Sequence, residues 1–267
     1  MTDRRSLRGQ ALVIGGSRGL GAAIASALAA EGRPTTVAAR DSGQLERCRK
    51  QAAENGIELS TAQVDTVCPD SLRRLFEDLS HRGELGVCVM AAGRNLSRRL
   101  LRPPREPGGA WEVHGVEEWR ETVELNLTGT FLAGREAALS MARSGTPGVL
   151  VPIVSCTWQG SWGQSAYAAA KAAVVSLTRS WALELGEFGI RAVAVAPGVV
   201  DGAALREKCE RLPSHARYME RLRQQVPLRR FAAEQEVADA VLHAVANQYL
   251  TGTVLEVAGG GFPARIP

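Results

Sequence analysis

Ala11-Leu-Val-Ile14-Gly15-Gly16-Ser17-Arg18-Gly19-Leu20-Gly21 decides the fold. Its four apolar residues make a short strand without a polar position, as suits a strand buried on both faces. The glycines then turn the chain, and the alanine-rich stretch 20–30 has helical spacing. A strand, a glycine turn and a helix start in that order suit phosphate binding. Glycines let backbone N–H groups approach a pyrophosphate, and the helix dipole favours negative charge there. Alone, the stretch also suits a plain tight turn. Its spacing, Gly-x-x-x-Gly-x-Gly, differs from the common dinucleotide fingerprint. No Lys-Ser or Lys-Thr pair follows, which argues against a P-loop nucleotide hydrolase.

Outward from this stretch, strand and helix patterns alternate along the chain. Further strands are predicted at 34–39, 57–64, 86–91, 149–154, 191–195 and 253–257. Helices are predicted at 44–54, 69–81, 116–143, 164–187, 203–225 and 234–246. The rhythm breaks at 94–115, where Pro103, Pro104, Pro107, Gly108 and Gly109 predict a loop with no regular element. About seven strands with intervening helices predict an α/β fold: one domain over 1–267, with a doubly wound parallel sheet and helices on both faces. No linker and no internal repeat divides the chain.

Composition narrows the function. Of the 267 residues, 45% are apolar and 22% charged, which excludes a disordered chain. No apolar run reaches the roughly 18 residues of a membrane-spanning helix. The opening MTDRRSLRGQ has no apolar signal region. The five cysteines (Cys48, Cys68, Cys88, Cys156, Cys209) are scattered and never in Cys-x-x-Cys spacing. They predict a reducing, cytoplasmic compartment and no metal site. The 32 basic and 28 acidic residues leave a net charge of +4, too small an excess to imply a nucleic-acid partner. Part of it is local: Arg94, Arg98, Arg99, Arg102 and Arg105 crowd one short stretch.

Tyr167-Ala-Ala-Ala-Lys171 falls on a predicted helix, where residues four apart share a face. An ammonium near a phenol lowers the phenol's pKa from about 10. A tyrosine tuned this way can exchange a proton with a substrate oxygen. Ser155 closes the preceding strand, at the end that faces a ligand crevice in such sheets, and can polarise the same oxygen. Spacing alone leaves open an ordinary helix-surface pair.

The whole set is more specific. The glycine turn, Met90-Ala91-Ala92-Gly93, Asn126 within Glu124-Leu-Asn-Leu-Thr128, Ser155, Tyr167 with Lys171, and Pro197-Gly198 follow one another in a single order. This resembles the short-chain dehydrogenase/reductase family, over about residues 10–261. The stretch from Tyr249 to Val257 is similar to that of 3-oxoacyl-[acyl-carrier-protein] reductase members. The resemblance implies a Rossmann-like sheet, a nicotinamide cofactor, Ser–Tyr–Lys chemistry and a homotetramer. Tyr167 would be the general acid or base, and Lys171 would lower its pKa and hold the nicotinamide ribose. Ser155 would orient the carbonyl, and Asn126 would hold a water in a proton relay. Gly15, Ser17, Arg18, Gly19, Leu20, Gly21, Ala92, Gly93, Pro197, Gly198 and Val200 would line the cofactor, with Asp65 at the adenine edge. Two departures stand out. The family's Asn-Asn-Ala-Gly is here Met90-Ala91-Ala92-Gly93, and the threonine expected after Pro-Gly-x-Val is displaced by Asp201-Gly202.

The cofactor's identity follows from the end of the second strand. An NAD enzyme places an acid there for the ribose 2′-OH. Here Ala39 holds that place and Arg40 follows, with Arg18 in the glycine turn. Two guanidinium groups suit a 2′-phosphate, hence NADP(H), while Asp41 suits a cap for the next helix. By resemblance, the substrate pocket comprises Arg94, Asn95, Trp158, Trp162, Val199, Val200 and a lid over 199–226. Two tryptophans beside the catalytic groups predict a roomy aromatic wall. The expected reaction is NADPH-dependent reduction of a bulky cyclic or aromatic, polyketide-like ketone. The alternatives are a 3-oxoacyl thioester reductase, a secondary alcohol dehydrogenase and, on weaker grounds, a cofactor-sensing protein without catalysis. The arginine-rich loop offers a place for an anionic or carrier-protein-bound substrate. Bare solvation of that loop is the simpler alternative.

Overall fold

The computed structural model describes residues 9–261. Residues 1–8 and 262–267 of the expected domain lie outside that range. Seven parallel strands form one sheet: β1 (Gln10–Ile14), β2 (Thr35–Ala39), β3 (Ser60–Gln63), β4 (Leu85–Met90), β7 (Gly148–Pro152), β8 (Ile190–Pro197) and β9 (Thr253–Val257). A two-stranded hairpin, β5 (Leu101–Arg102) with β6 (Glu112–Val113), stands apart from it. The sheet order is β3-β2-β1-β4-β7-β8-β9. The chain therefore reverses direction across the sheet between β1 and β4. A crevice opens at that reversal, beyond the C-terminal strand ends.

The inner strands β1, β4, β7 and β8 are mostly apolar and buried because helices cover both sheet faces, and successive side chains point to opposite faces; the edge strand β3 is polar and partly exposed. Ala11 and Val13 of β1 join the core under α1 (Gly19–Ala30), α2 (Ser42–Glu54) and α9 (Glu234–Ala246). Leu12 and Ile14 join the opposite core, under α3 (Pro69–Ser80), α5 (Gly129–Ser144) and α6 (Ser165–Leu185). Helix α3 shows how the pattern anchors a helix: Leu72, Leu75, Phe76 and Leu79 recur on one face, and all are buried. Each such side chain contributes about 1.5–3 kcal/mol. Arg191, at the start of β8, donates to the carbonyls of Ala244, Val245 and Leu250 and so pins the end of α9 to the sheet.

Several expectations are corrected. The segment 94–115 holds the β5–β6 hairpin, closed by an ion pair between Arg102 and Glu112. The helix expected over 116–143 is α4 (Val116–Val123), a π-turn over Glu124–Thr128, then α5. The helix expected over 203–225 splits into α7 (Ala203–Arg211) and α8 (Pro213–Gln225). Pro213 forces the break: Leu212 before it is extended, at φ −128° and ψ 93°.

Candidate active site

The glycine turn follows β1 and starts α1, as expected. Gly15 has φ +81°, and a Cβ there would lie 2.4 Å from the Ala92 backbone nitrogen. A Cβ on Gly21 would lie 2.3 Å from the Gly15 carbonyl oxygen. These two glycines let the turn pack against the chain leaving β4, which sets Ala92 and Gly93 beside it. Arg18, at the N-cap of α1, gives the helix no side-chain acceptor, and the first turn has no acid. The helix start thus keeps free N–H donors for an anion. Leu20 packs on the core, and Ser17 donates to Gln44 Oε1 at 3.4 Å.

Arg18 and Arg40 are exposed, and neither has an ion-pair partner among the described residues. Asp41 accepts from the Gln44 backbone N–H at 2.9 Å, so it caps α2 as expected. Arg40 and Asp65 lie along one shallow groove beside β3. Asp65 Oδ1 accepts from the Val67 N–H at 3.2 Å. A phosphate-bearing dinucleotide fits these features: donors at the helix start, then two cations, then a groove.

The groups expected to transfer the proton sit beyond β7 and β8. Ser155 caps a 3-10 turn (Cys156–Gln159), and its Oγ accepts from the Thr157 N–H at 3.3 Å and the Thr157 hydroxyl at 3.0 Å. Tyr167, on the first turn of α6, opens onto the same cleft as Ser155. Lys171 is one turn further on and buried; its Nζ donates to the Ile153 carbonyl at 2.9 Å and lies 5.6 Å from the Tyr167 ring centre. Burial pushes the Tyr167 phenol up to about 12, against a smaller downward pull from Ser155. Burial also brings Lys171 down to about 8. In the chain by itself, burial outweighs the pull expected of Lys171 on the phenol. The ammonium is bonded to Ile153, and desolvation prevails.

Asn126 lies in the π-turn and is fully buried. Its Nδ2 donates to the carbonyls of Arg94 and Thr122, at 3.0 and 2.9 Å, and its Oδ1 accepts from the Arg94 N–H at 3.2 Å. Three of the side chain's four hydrogen-bonding positions are thus used, two of them in holding the chain as it leaves β4. Its backbone carbonyl accepts from the Thr130 hydroxyl at 3.0 Å. Single π-turns inside helices recur at functional sites.

The cleft is about 560 Å³ in volume. Trp162 lines it, under the Arg99 guanidinium at 3.9 Å. Trp158 does not: its Nε1 donates to Glu256 at 3.2 Å, and its ring packs on the small core around Val174. The two-tryptophan wall is thus corrected to one. Among the residues expected after β8, Val199 lines the cleft, while Val200 bridges to Ala232 and packs on the core beneath α1 and α9. Gly198 donates to the Val257 carbonyl at 2.9 Å, which seats Pro197-Gly198 against β9. Asn95 lines the cleft, but the Arg94 side chain turns to Glu121 at 3.8 Å.

Arg99, of the arginine-rich loop, and Lys208 and His215, of the expected lid, line the cleft; Gln164 also lines it and was not anticipated. Gln164 Oε1 is buried without a partner among the described residues, three places before Tyr167. Its closeness to the tyrosine in sequence was the one signal for it.

Fold and site together define a nucleotide-cofactor oxidoreductase of the doubly wound type. A family model described as short chain dehydrogenase matches residues 10–212, and this chain belongs to that family. The 3-oxoacyl-[acyl-carrier-protein] reductase MabA of Mycobacterium bovis is 33% identical over 255 residues, covering 93% of this chain and 91% of its own. The sorbitol-6-phosphate 2-dehydrogenase of Klebsiella pneumoniae is 31% identical, covering 93% and 94%. Among solved structures, a variant of actinorhodin polyketide ketoreductase with NADPH is similar at TM-score 0.83 and 29% identity, covering 98% of this chain and 100% of that one.

Proposed function

We propose that this chain reduces a ketone to a secondary alcohol with NADPH. The observation that carries the reading is the shared cleft of Ser155 and Tyr167, at the strand ends, with Lys171 buried behind them. When bound, NADPH supplies a hydride to the carbonyl carbon. The Ser155 and Tyr167 hydroxyls hold the carbonyl oxygen, and Tyr167 gives it a proton. The phenol is protonated at neutral pH and so carries the proton to be given, while burial makes it a weaker acid that relies on the Lys171 ammonium to support the phenolate. Lys171 holds the ribose and supports the phenolate left behind. Asn126 keeps the loop after β4 in place and, by family resemblance, holds a relay water that returns the proton.

NADPH is preferred because Arg18 and Arg40 are free to grip a 2′-phosphate while Asp41 is engaged in capping. The turn from Gly15 to Gly21 holds the pyrophosphate, Ser17 and Leu20 included. Asp65 takes the adenine edge, Ala92 and Gly93 flank the adenosine, and Pro197, Gly198 and Val200 back the carboxamide. Helices α7 and α8 act as the substrate lid over 199–226.

The cleft volume, Trp162, Tyr218 and Met219 suit a bulky cyclic or aromatic ketone, as does the likeness to a polyketide ketoreductase. The relatives named 3-oxoacyl-[acyl-carrier-protein] reductases favour a second reading, reduction of a 3-oxoacyl thioester. Net alcohol oxidation uses the same groups in reverse. A cofactor sensor without catalysis has less support, because Tyr167 and Lys171 are both kept. We also place the chain in the cytoplasm as a homotetramer. Phe131, Leu139, Leu183 and Phe188 are exposed on and just beyond α5 and α6, and light scattering reading a monomer would refute the assembly.

The test follows NADPH absorbance with a bicyclic aromatic ketone and an acetoacetyl thioester side by side, using Tyr167→Phe as the blank. Faster reduction of the bicyclic ketone is expected, with a loss of about 10²–10⁴-fold in the variant. Faster thioester reduction moves the assignment to acyl chains. Equal rates in wild type and variant sink the mechanism.

A further inference from the structure

The cleft that opens on Ser155 and Tyr167 is lined by Arg99, Arg102 and Lys208, and among the described residues no carboxylate lines it. The cations come from two separate segments, the one after β4 and helix α7. Arg102 is bound to Glu112 at 3.3 Å across the hairpin, so its charge is partly answered. Arg99 has no ion pair among the described residues. It lies flat on Trp162, which fixes the guanidinium plane and leaves its edge N–H groups free to donate. Lys208 is likewise without an ion pair, despite Glu207 and Glu210 on its own helix. Burial, joined by the Lys208 charge, brings the His215 imidazole in the cleft below its ordinary range. Like charges converging on a cleft with low-dielectric walls focus a positive field within it.

We propose that the ketone substrate carries a compact oxyanion, carboxylate or phosphate, gripped between Arg99 and Lys208 while its carbonyl lies at Ser155 and Tyr167. The inference rests on the reductase reading of this site and adds the chemical class of the substrate. An arginine fork accepts two oxygens of either group, and a lysine adds a point charge. His215, in the same cleft, adds a hydrogen-bonding group.

The test compares an aryl ketone carboxylate with its carboxamide, and a ketose phosphate with the free ketose. Each is assayed with wild type, Arg99→Gln, Lys208→Gln and Arg105→Gln, the last an exposed arginine on the same loop but outside the cleft. Wild type should favour an anion over its neutral partner by about ten- to a hundredfold in kcat/KM, mostly through KM. Arg99→Gln and Lys208→Gln should each remove about tenfold of that preference, and Arg105→Gln should keep it. The pair with the larger preference identifies carboxylate or phosphate as the group read. Equal kcat/KM for anion and neutral partner, or a preference that survives both cleft substitutions, overturns the proposal. Calorimetric binding to the NADPH-loaded protein separates the two claims. Anion-selective binding lost in Arg99→Gln, without NADPH oxidation, supports the anion site and refutes the reductase. Oxidation without anion selectivity does the reverse, and no binding of either anion overturns the proposal.

Discussion

Replacing Lys171 with methionine should change how stability responds to alkali. Burial brings this lysine from its ordinary 10.5 to about 8 in the folded chain. Below pH 8 both folded and unfolded states carry the proton, and the folded state bears the full penalty, about 3 kcal/mol. Between pH 8 and 10.5 the unfolded state alone keeps the proton. Stability therefore rises with pH over that window, because it rises wherever the unfolded state binds more protons. Integrating between about pH 7 and about pH 9.5 gives a gain of about 2 kcal/mol that a methionine cannot show. Other groups oppose the trend in absolute stability. The buried Cys88 and Cys156 thiols, pushed up to about 12 and about 11, lose stability above pH 9, but they do so in both proteins and cancel in the difference. The bond lost to the Ile153 carbonyl shifts the variant by an offset and leaves the slope alone. Urea unfolding read by tryptophan fluorescence at several pH values gives the comparison. Wild type should gain about 2 kcal/mol on Lys171→Met across the window. A flat difference would mean that Lys171 keeps its proton to pH 9.5 and that the burial argument is wrong.

Three further outcomes are expected. Arg40→Asp should lower affinity for NADPH relative to NADH by about tenfold or more, by removing one phosphate donor and adding a repelling charge; fluorescence titration with both cofactors measures it, and an unchanged ratio refutes the role of Arg40. Gly134→Ala places a Cβ 2.5 Å from Trp181 Cη2, so it should destabilise by about 1–3 kcal/mol despite alanine's better helix propensity. A midpoint at or above wild type in urea would show that the Trp181 ring gives way freely. Trp162→Ala should raise KM for the ketone substrate several-fold more than Trp158→Ala, because only Trp162 faces the cleft; equal effects would place Trp158 in the pocket after all.

The inner strands β4 and β7 were legible because a sheet covered on both faces demands apolar runs there. Helix α9 and strand β9 match their expected bounds, residue for residue. The third strand was read too long: Ile57 packs on the core and Leu59 is buried, but pairing with β2 starts at Ser60. Burial shows in the sequence there, whereas the hydrogen-bond partner does not. The π-turn at Asn126 adds a residue to a helical turn without altering its apolar character, so periodicity passes over it. The break at Pro213, by contrast, carried its own signal in the proline.

The same distinction separates the parts of the site. Ser155, Tyr167 and Lys171 could be read because they lie within one strand–loop–helix unit, where spacing fixes the face. Trp158 and Trp162 lie in that unit too, yet their opposite fates depend on Glu256, almost a hundred residues away, which holds the Trp158 indole outside the cleft. Arg99 and Lys208 are also about a hundred residues apart in the chain and line one cleft through the fold alone. On the proposed function, the groups that carry the reaction are local, while those that select the substrate are assembled from distant segments. A segment such as the arginine-rich loop can change without disturbing the chemistry. This arrangement accounts for a motif set that identifies the family at about one-third identity while relatives carry names as different as an acyl-carrier reductase and a sugar-phosphate dehydrogenase. Substitutions at Arg99 and Lys208 should accordingly move specificity, and substitutions at Tyr167 should move rate.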